Sequence, residues 1–395
     1  MGFQEVYGVL PQASAQAPGR VNLLGEHTDY QEGYVLPTPI PYFTRVEAAP
    51  LEGAVEAFSE NLGELRARPL SSPPQGDFLD YLLGVVRALR EAGHEVAGAR
   101  FYVRSDLPMG AGLSSSAALE VAALRALRTL YRLPLSDLEV ARLAQKAEVE
   151  YVGVRCGIMD QMAASLGQPG QALFLDTRTL AYENLPLPPG VRVAVLDLGL
   201  GRRLAEAGYN RRRQEAEEAA KRLGVRSLRD VADLCLVESL PSPLDRRARH
   251  VVSENLRVLR GVEALRRGDA RAFGELMTQS HRSLAQDYEV NLPELDALVE
   301  EARRGRGGPG GRKPLPRLQG GPGPALPRPQ GPLNRGEGEG LVAQLGHGEP
   351  AEDLVPESPV GGVDPAVPRV LGRLLLVEGS GLLLRLAHDL RGPLP

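Results

Sequence analysis

The chain has 395 residues and a mass of 42.5 kDa, enough for two domains with a sizeable core. Its 46 basic and 50 acidic side chains leave a net charge of -4, which gives no electrostatic footprint for nucleic acid or for an anionic membrane surface. Two cysteines, Cys156 and Cys235, are too few for a disulfide-stapled secreted scaffold, and no stretch approaches the roughly 18 uninterrupted apolar residues of a membrane span. The opening MGFQEVYGVL has no basic segment followed by an apolar run, so a soluble cytoplasmic protein is expected. Lysine occurs only at Lys146, Lys221 and Lys313, an arginine bias of the kind a GC-rich genome produces.

The first cluster of interest is Ala17-Pro-Gly-Arg-Val-Asn-Leu-Leu-Gly-Glu-His-Thr-Asp-Tyr30. It packs Arg20, Glu26, His27, Thr28, Asp29 and Tyr30 around two glycines, a density of polar groups that a core segment would struggle to satisfy. Alternating donors and acceptors suit a polyhydroxylated ligand, because each unmatched hydroxyl is penalised. A solvated polar turn is the plainer alternative, and it fits a lone histidine better than this concentration of groups.

Apolar spacing predicts a helix over Phe78 to Leu89, and alternation at Phe101-Tyr-Val-Arg104 predicts a strand. Pro108-Met-Gly-Ala-Gly-Leu-Ser-Ser-Ser-Ala-Ala118 then joins that strand to a helix running from Ala117 to Leu130. Glycines let the backbone approach an anion, serines can cap the helix, and its free N–H groups attract phosphate. No lysine follows as in the common nucleotide loop, and the dinucleotide fingerprint lacks its last glycine. Ser136 and Glu139 form a capping signature for a helix expected to run to about Tyr151, with Glu148 beside its apolar stripe. Asp160, in Cys156-Gly-Ile-Met-Asp-Gln161, would taken alone be an ordinary turn or helix-start residue. A strand over Val191 to Leu196 follows, then helices over Ala207 to Leu223, Leu244 to Leu265 and Ala270 to Gln286. Strands and helices crowd the first half, and helices dominate the second.

After Arg304 the character changes. Residues 305–395 hold 20 Gly and 15 Pro and no Phe, Tyr, Ile, Thr or Met, so little regular structure is expected there. The segment reads either as a disordered tail or as a GC-rich gene translated out of frame.

Together these clusters resemble the GHMP small-molecule kinases, and within them the galactokinases. The resemblance rests on APGRVNLLGEHTDY, PMGAGLSSSAALE, CGIMDQM and Tyr209-Asn-Arg-Arg212. It extends to Arg247-Ala-Arg-His250 and to Met277-Thr-Gln-Ser-His281 through Asp287-Tyr-Glu289, covering about the first 304 residues. It implies an α+β fold in two domains, the first (1–180) like ribosomal protein S5 domain 2 and the second (181–304) ferredoxin-like and incomplete, followed by the tail 305–395. It implies ATP and magnesium, with D-galactose phosphorylated at its anomeric hydroxyl. Asp160 would be the general base, with Arg20 helping to hold it ionised and stabilising charge on the transferred group. Glu26, His27, Thr28, Asp29, Asp160 and Tyr209 would bind the sugar. Gly110, Ala111, Gly112, Leu113, Ser114, Ser115 and Ser116 would wrap the ATP phosphates, Ser59 would touch the nucleotide, and Ser116 and Glu148 would ligate Mg2+. The alternatives are a kinase of the same family for N-acetylgalactosamine or arabinose, and a non-catalytic galactose sensor, which the intact serine cluster and Asp160 disfavour. No nucleic-acid or membrane partner is expected; oligomeric state is left open, with a monomer as the simplest case. The family's third motif, a Gly-Gly-Phe-Gly-Gly-like run, is replaced here by Gly305-Arg-Gly-Gly-Pro-Gly-Gly-Arg-Lys-Pro314, which favours the out-of-frame reading of the tail.

Overall fold

The computed structural model describes residues 1–108, 112–191, 193–197, 203–291, 296, 297 and 299, and the segments 341–344 and 373–377. A short helix α1 (Phe3–Tyr7) leads into strand β1 (Ala13–Asn22), β2 (Tyr34–Val35), β3 (Pro37–Pro50), β4 (Ala54–Ser59) and β5 (Glu64–Pro69). Helix α2 (Leu79–Glu91), strand β6 (Ala99–Ser105), and helices α3 (Ser115–Leu130), α4 (Asp137–Lys146) and α5 (Met159–Leu166) come next. Strands β7 (Gln171–Asp176), β8 (Tyr182–Pro186) and β9 (Val193–Asp197) precede the long helices α6 (Arg203–Arg222), α7 (Leu244–Arg266) and α8 (Ala270–Ser283).

Strands β1, β3, β6, β4 and β5 form one sheet in that order, antiparallel except where β4 runs parallel to β6. Helices α2, α3 and α4 cover one face, and their apolar stripes meet Val46, Val55, Phe101 and Val103 of the sheet in the largest core. A second antiparallel sheet has the order β2, β7, β8. In the helical half, α6 and α7 enclose a core with Tyr288, while α7 and α8 pack Val258, Val262 and Phe273 against Leu23, Leu24 and Leu36. That last contact lays α7 directly beneath the turn that follows β1. Among the described residues no helix is long and apolar enough to cross a membrane.

Each helix expected from the sequence is present, with ends shifted by a few residues. Two continue differently. The helix begun at Ser136 keeps its reciprocal capping box, with Ser136 Oγ accepting from Glu139 N at 3.2 Å and Glu139 Oε2 accepting from Ser136 N at 2.7 Å. It then widens into a π-helical turn over Ala147–Val152 and does not stay α-helical to Tyr151. Similarly, α8 stops at Ser283 and a π turn spans Leu284–Tyr288. Such turns add one residue per hydrogen-bonded ring and rotate the chain beyond them, and they recur at functional sites. In the tail, β10 (Leu341–Gln344) lies parallel and β11 (Arg373–Val377) antiparallel to β9, while most of residues 305–395, including Gly305 to Pro314, falls outside the described residues.

Candidate active site

Arg20 sits near the end of β1. Gly19 before it is required by close approach: an added Cβ would lie 2.6 Å from the carbonyl oxygen of Leu113. The Arg20 amide donates to that same Leu113 oxygen at 3.1 Å, and Arg20 Nη1 donates to the Gly112 oxygen at 3.2 Å. The glycine–serine loop is thereby tied to β1. Gly112 itself has φ 63°, the left-handed region in which a residue without Cβ is favoured.

Asp160 occupies the first turn of α5 and is fully buried. Arg20 Nε donates to Asp160 Oδ1 at 2.7 Å and Arg20 Nη2 lies 2.5 Å from the same oxygen. The Ser114 hydroxyl donates to Asp160 Oδ2. A serine cap on α3 was the expectation for this cluster; Ser114 does hold the N-cap position, but its hydroxyl goes to Asp160 and makes no cap bond. The reason lies in the backbone, since Ser114 has φ 59°, ψ 44° and not the extended geometry of an ordinary cap.

Ser116, two residues on, donates from Oγ to Glu148 Oε1 at 3.0 Å. Glu148 is buried on the π turn, and Gln161 Nε2 and Cys156 Sγ also donate to its Oε2, the latter at 3.6 Å. Neutral donors thus hold a buried carboxylate beside a hydroxyl, a hard-oxygen pair suited to a magnesium ion that takes its remaining ligands from phosphate and water. The described residues contain no cluster of three or more His, Cys, Asp or Glu side chains that could cage a metal by themselves. Glu148 also supports the surroundings of Asp160, because its partner Gln161 is the next residue in the chain.

The turn after β1 carries the remaining candidates. His27 is buried with φ 64°, and its Nδ1 is 2.7 Å from Tyr30 Oη, which is 2.8 Å from Tyr288 Oη. Burial, with His250 and Arg212 nearby, holds the His27 imidazole well below its usual pKa, so the ring is neutral. Asp29 abuts Gly157, where a Cβ would come within 2.0 Å of Asp29 Oδ2; this glycine therefore sets how close the turn after β1 comes to α5. Thr28 is wholly buried, and its hydroxyl faces the carbonyl oxygens of Gly25 at 2.8 Å and Tyr34 at 2.7 Å, so it closes the turn from within.

Ser59 ends β4, with β6 and β3 between it and the strand of Arg20, and its hydroxyl accepts from Leu62 N at 3.4 Å. Leu113 buries its side chain in the core while its carbonyl accepts from Arg20 N of β1, and Ser115 opens α3. Tyr209 lies on α6, but its side chain, together with Gly110 and Ala111, lies outside the described residues. Gln161, which motif reading passed over, joins the group through Glu148; its place in the quoted hexapeptide was visible, its partner 13 residues away was not.

The N-terminal domain of GHMP kinases matches residues 80–168, the GHMP kinases C-terminal domain matches 262–308, and the galactokinase galactose-binding signature matches 1–50. A galactokinase of Roseiflexus sp. (strain RS-1) is 47% identical over 312 residues, spanning 76% of this chain and 80% of that protein. The crystal structure of Lactococcus lactis galactokinase complexed with galactose superposes with a TM-score of 0.72 at 35% identity, covering 76% of this chain and 82% of that one. A Methanococcus jannaschii mevalonate kinase shares the fold at 19% identity, with a TM-score of 0.55 over 74% of this chain and 84% of that one.

Proposed function

The chain belongs to the galactokinases of the GHMP kinase family, with the two-domain α+β fold of that family, and from this membership we propose how its residues transfer the γ-phosphoryl group of ATP to the anomeric hydroxyl of D-galactose. The observation that carries the reading is the buried Arg20–Asp160 pair facing the first turn of α3. The Ser114 hydroxyl bound to Asp160 Oδ2 marks a direction from which a hydroxyl can reach this carboxylate. The anomeric hydroxyl of the sugar takes that approach, and Asp160 accepts its proton as the oxygen forms a bond to the γ-phosphorus. The bond from that phosphorus to the bridging oxygen of ADP breaks, leaving galactose 1-phosphate.

Arg20 keeps Asp160 oriented and offers positive charge to the equatorial oxygens of the transferred group. The N–H groups at the start of α3, with Ser115 and the loop from Gly110 to Ser114, receive the phosphates. Ser116 and Glu148 would hold a magnesium ion, which when bound offsets charge on the phosphates. Glu26, His27, Asp29 and Tyr209 orient the sugar, with His27 held neutral by its buried site.

The test is ADP release by the purified protein with magnesium-ATP and galactose, N-acetylgalactosamine, arabinose or no sugar. Turnover with galactose is expected; turnover only with another sugar would move the substrate, and galactose binding without turnover would make the protein a sensor. Asp160→Asn is expected to cut galactose-dependent turnover by about 10²–10⁴-fold, the range of a positioned base, while galactose binding measured by calorimetry changes far less. Unaltered turnover in that variant would remove Asp160 from the role.

A further inference from the structure

Two of the family-like stretches, 247–250 and 277–289, have no part in the phosphoryl transfer itself, yet both converge on the sugar turn from beneath. His250 on α7 is fully buried, with Nε2 3.0 Å from the carbonyl oxygen of Glu26. A carbonyl can only accept, so Nε2 carries the proton, and Nδ1 faces the Ser283 hydroxyl at 2.9 Å. Ser283 Oγ lies in turn 2.9 Å from Asp287 Oδ2. One turn along α7, the fully buried Glu254 accepts from Gly25 N at 2.9 Å and from Ser280 Oγ at 2.7 Å, while Arg257 Nε donates to its other oxygen at 2.5 Å. Asn255 completes the set by accepting from Tyr34 N at 2.8 Å.

These bonds act on a segment that would not hold its shape unaided. Gly25, His27 and Glu32 all have left-handed backbones, with φ of 94°, 64° and 53°, and the two that are not glycine cost conformational energy there. Gly25 leaves no room to relax, because an added Cβ would lie 2.5 Å from the Tyr34 oxygen. We propose that His250 and Glu254 are positioning residues of the sugar turn, fixing the main chain at Gly25 and Glu26 so that Glu26, His27 and Asp29 meet the sugar already oriented. The role in sugar binding rests on the galactose reading above; the hold on the turn does not. Preorganisation of this kind lowers the ordering cost at the moment of binding, so its loss appears in affinity for the sugar.

The experiment uses the full-length protein with His250→Leu and His250→Gln, the second retaining an N–H for the Glu26 carbonyl. Calorimetry with galactose, and separately with magnesium-ATP, is paired with amide hydrogen exchange over residues 25–34 in the absence of ligand. His250→Leu is expected to weaken galactose about tenfold, in line with one buried acceptor left unpaired, with nucleotide affinity unchanged within about twofold and faster exchange over 25–34. His250→Gln is expected to recover most of both effects. Equal weakening of both ligands with no advantage for Gln over Leu would mean ordinary packing and overturn the proposal, as would unchanged exchange over 25–34. Should the wild-type protein bind no galactose, the sugar reading falls, and the exchange rates of the two variants still decide whether the turn is held from α7.

Discussion

The candidate site is built from a few contacts between residues far apart in sequence. Arg20 and Asp160 are separated by 140 positions and share a 2.7 Å bond; Ser116 and Glu148 are separated by 32 and share one of 3.0 Å. Buried histidines add a consequence for stability. The His27 ring is held below its usual pKa by burial and by His250 and Arg212, and His250 is lowered chiefly by burial. Each binds its proton less readily when folded than when unfolded, so the unfolded chain gains protons first as pH falls. Stability should therefore decline as pH drops below the ordinary value of 6.5, by up to about 1.4 kcal/mol per pH unit for each ring until the folded group itself protonates. Glu254 works in a lower window. Burial pushes its pKa up, but Arg257, His250 and the bonds from Gly25 and Ser280 pull it below the usual 4.5, so its contribution is lost only as pH falls below that value. Thermal melting from pH 8 to about 2 should show both declines, and His250→Gln should flatten the first.

At the scale of elements, the capping box at Ser136 and the helical periodicities were legible because both are written in residues three or four apart. The π turn that carries Glu148 was not. Its widened ring is selected by what Glu148 must meet, namely Ser116, Gln161 and Cys156, and nothing within residues 147–152 distinguishes it from an α-helical turn. Placing the carboxylate this way predicts that Glu148→Gln will keep the fold, since the amide oxygen can still accept from Gln161 Nε2 while its NH2 donates to the Ser116 hydroxyl. The variant should raise the magnesium concentration needed for half-maximal turnover by about tenfold or more, the loss of a charged hard ligand. Calorimetry with ATP should show the advantage of added magnesium reduced; an unchanged advantage would remove Glu148 from the metal. Thr28 is a further case, a motif hydroxyl that packing turns inward.

For the molecule as a whole, Arg247 joins the helical half together. It is buried on α7, donates from Nε to Glu215 of α6 at 2.6 Å and from Nη2 to Glu289 at 2.7 Å, and reaches the Asp287 carbonyl. Removing one member of a buried ion pair leaves uncompensated charge, so Arg247→Met should cost about 3 kcal/mol, visible as a lower urea midpoint. The tail differs in kind from this helical half. We propose that residues 305–395 are read out of frame, because the GHMP C-terminal match ends at residue 308 and the expected glycine-rich motif gives way there to Gly/Pro/Arg-rich sequence. Resequencing the gene across the codon for Arg304 should reveal an insertion or deletion; an intact frame overturns the proposal.

The sequence by itself determined the family, the long helices and the identity of the polar groups that crowd the first 30 residues and the serine loop. These are local properties: periodicity, capping signals and an ordered set of motifs need no knowledge of distant partners. Tertiary structure alone decided that Ser114 bonds Asp160 and does not cap its helix, that Gly157 lets Asp29 approach α5, and that His250 and Glu254 lie under the turn that follows β1. Those pairings join residues from 46 to 229 positions apart in the chain, and packing of that range is set by the whole core, not by any segment that takes part in it.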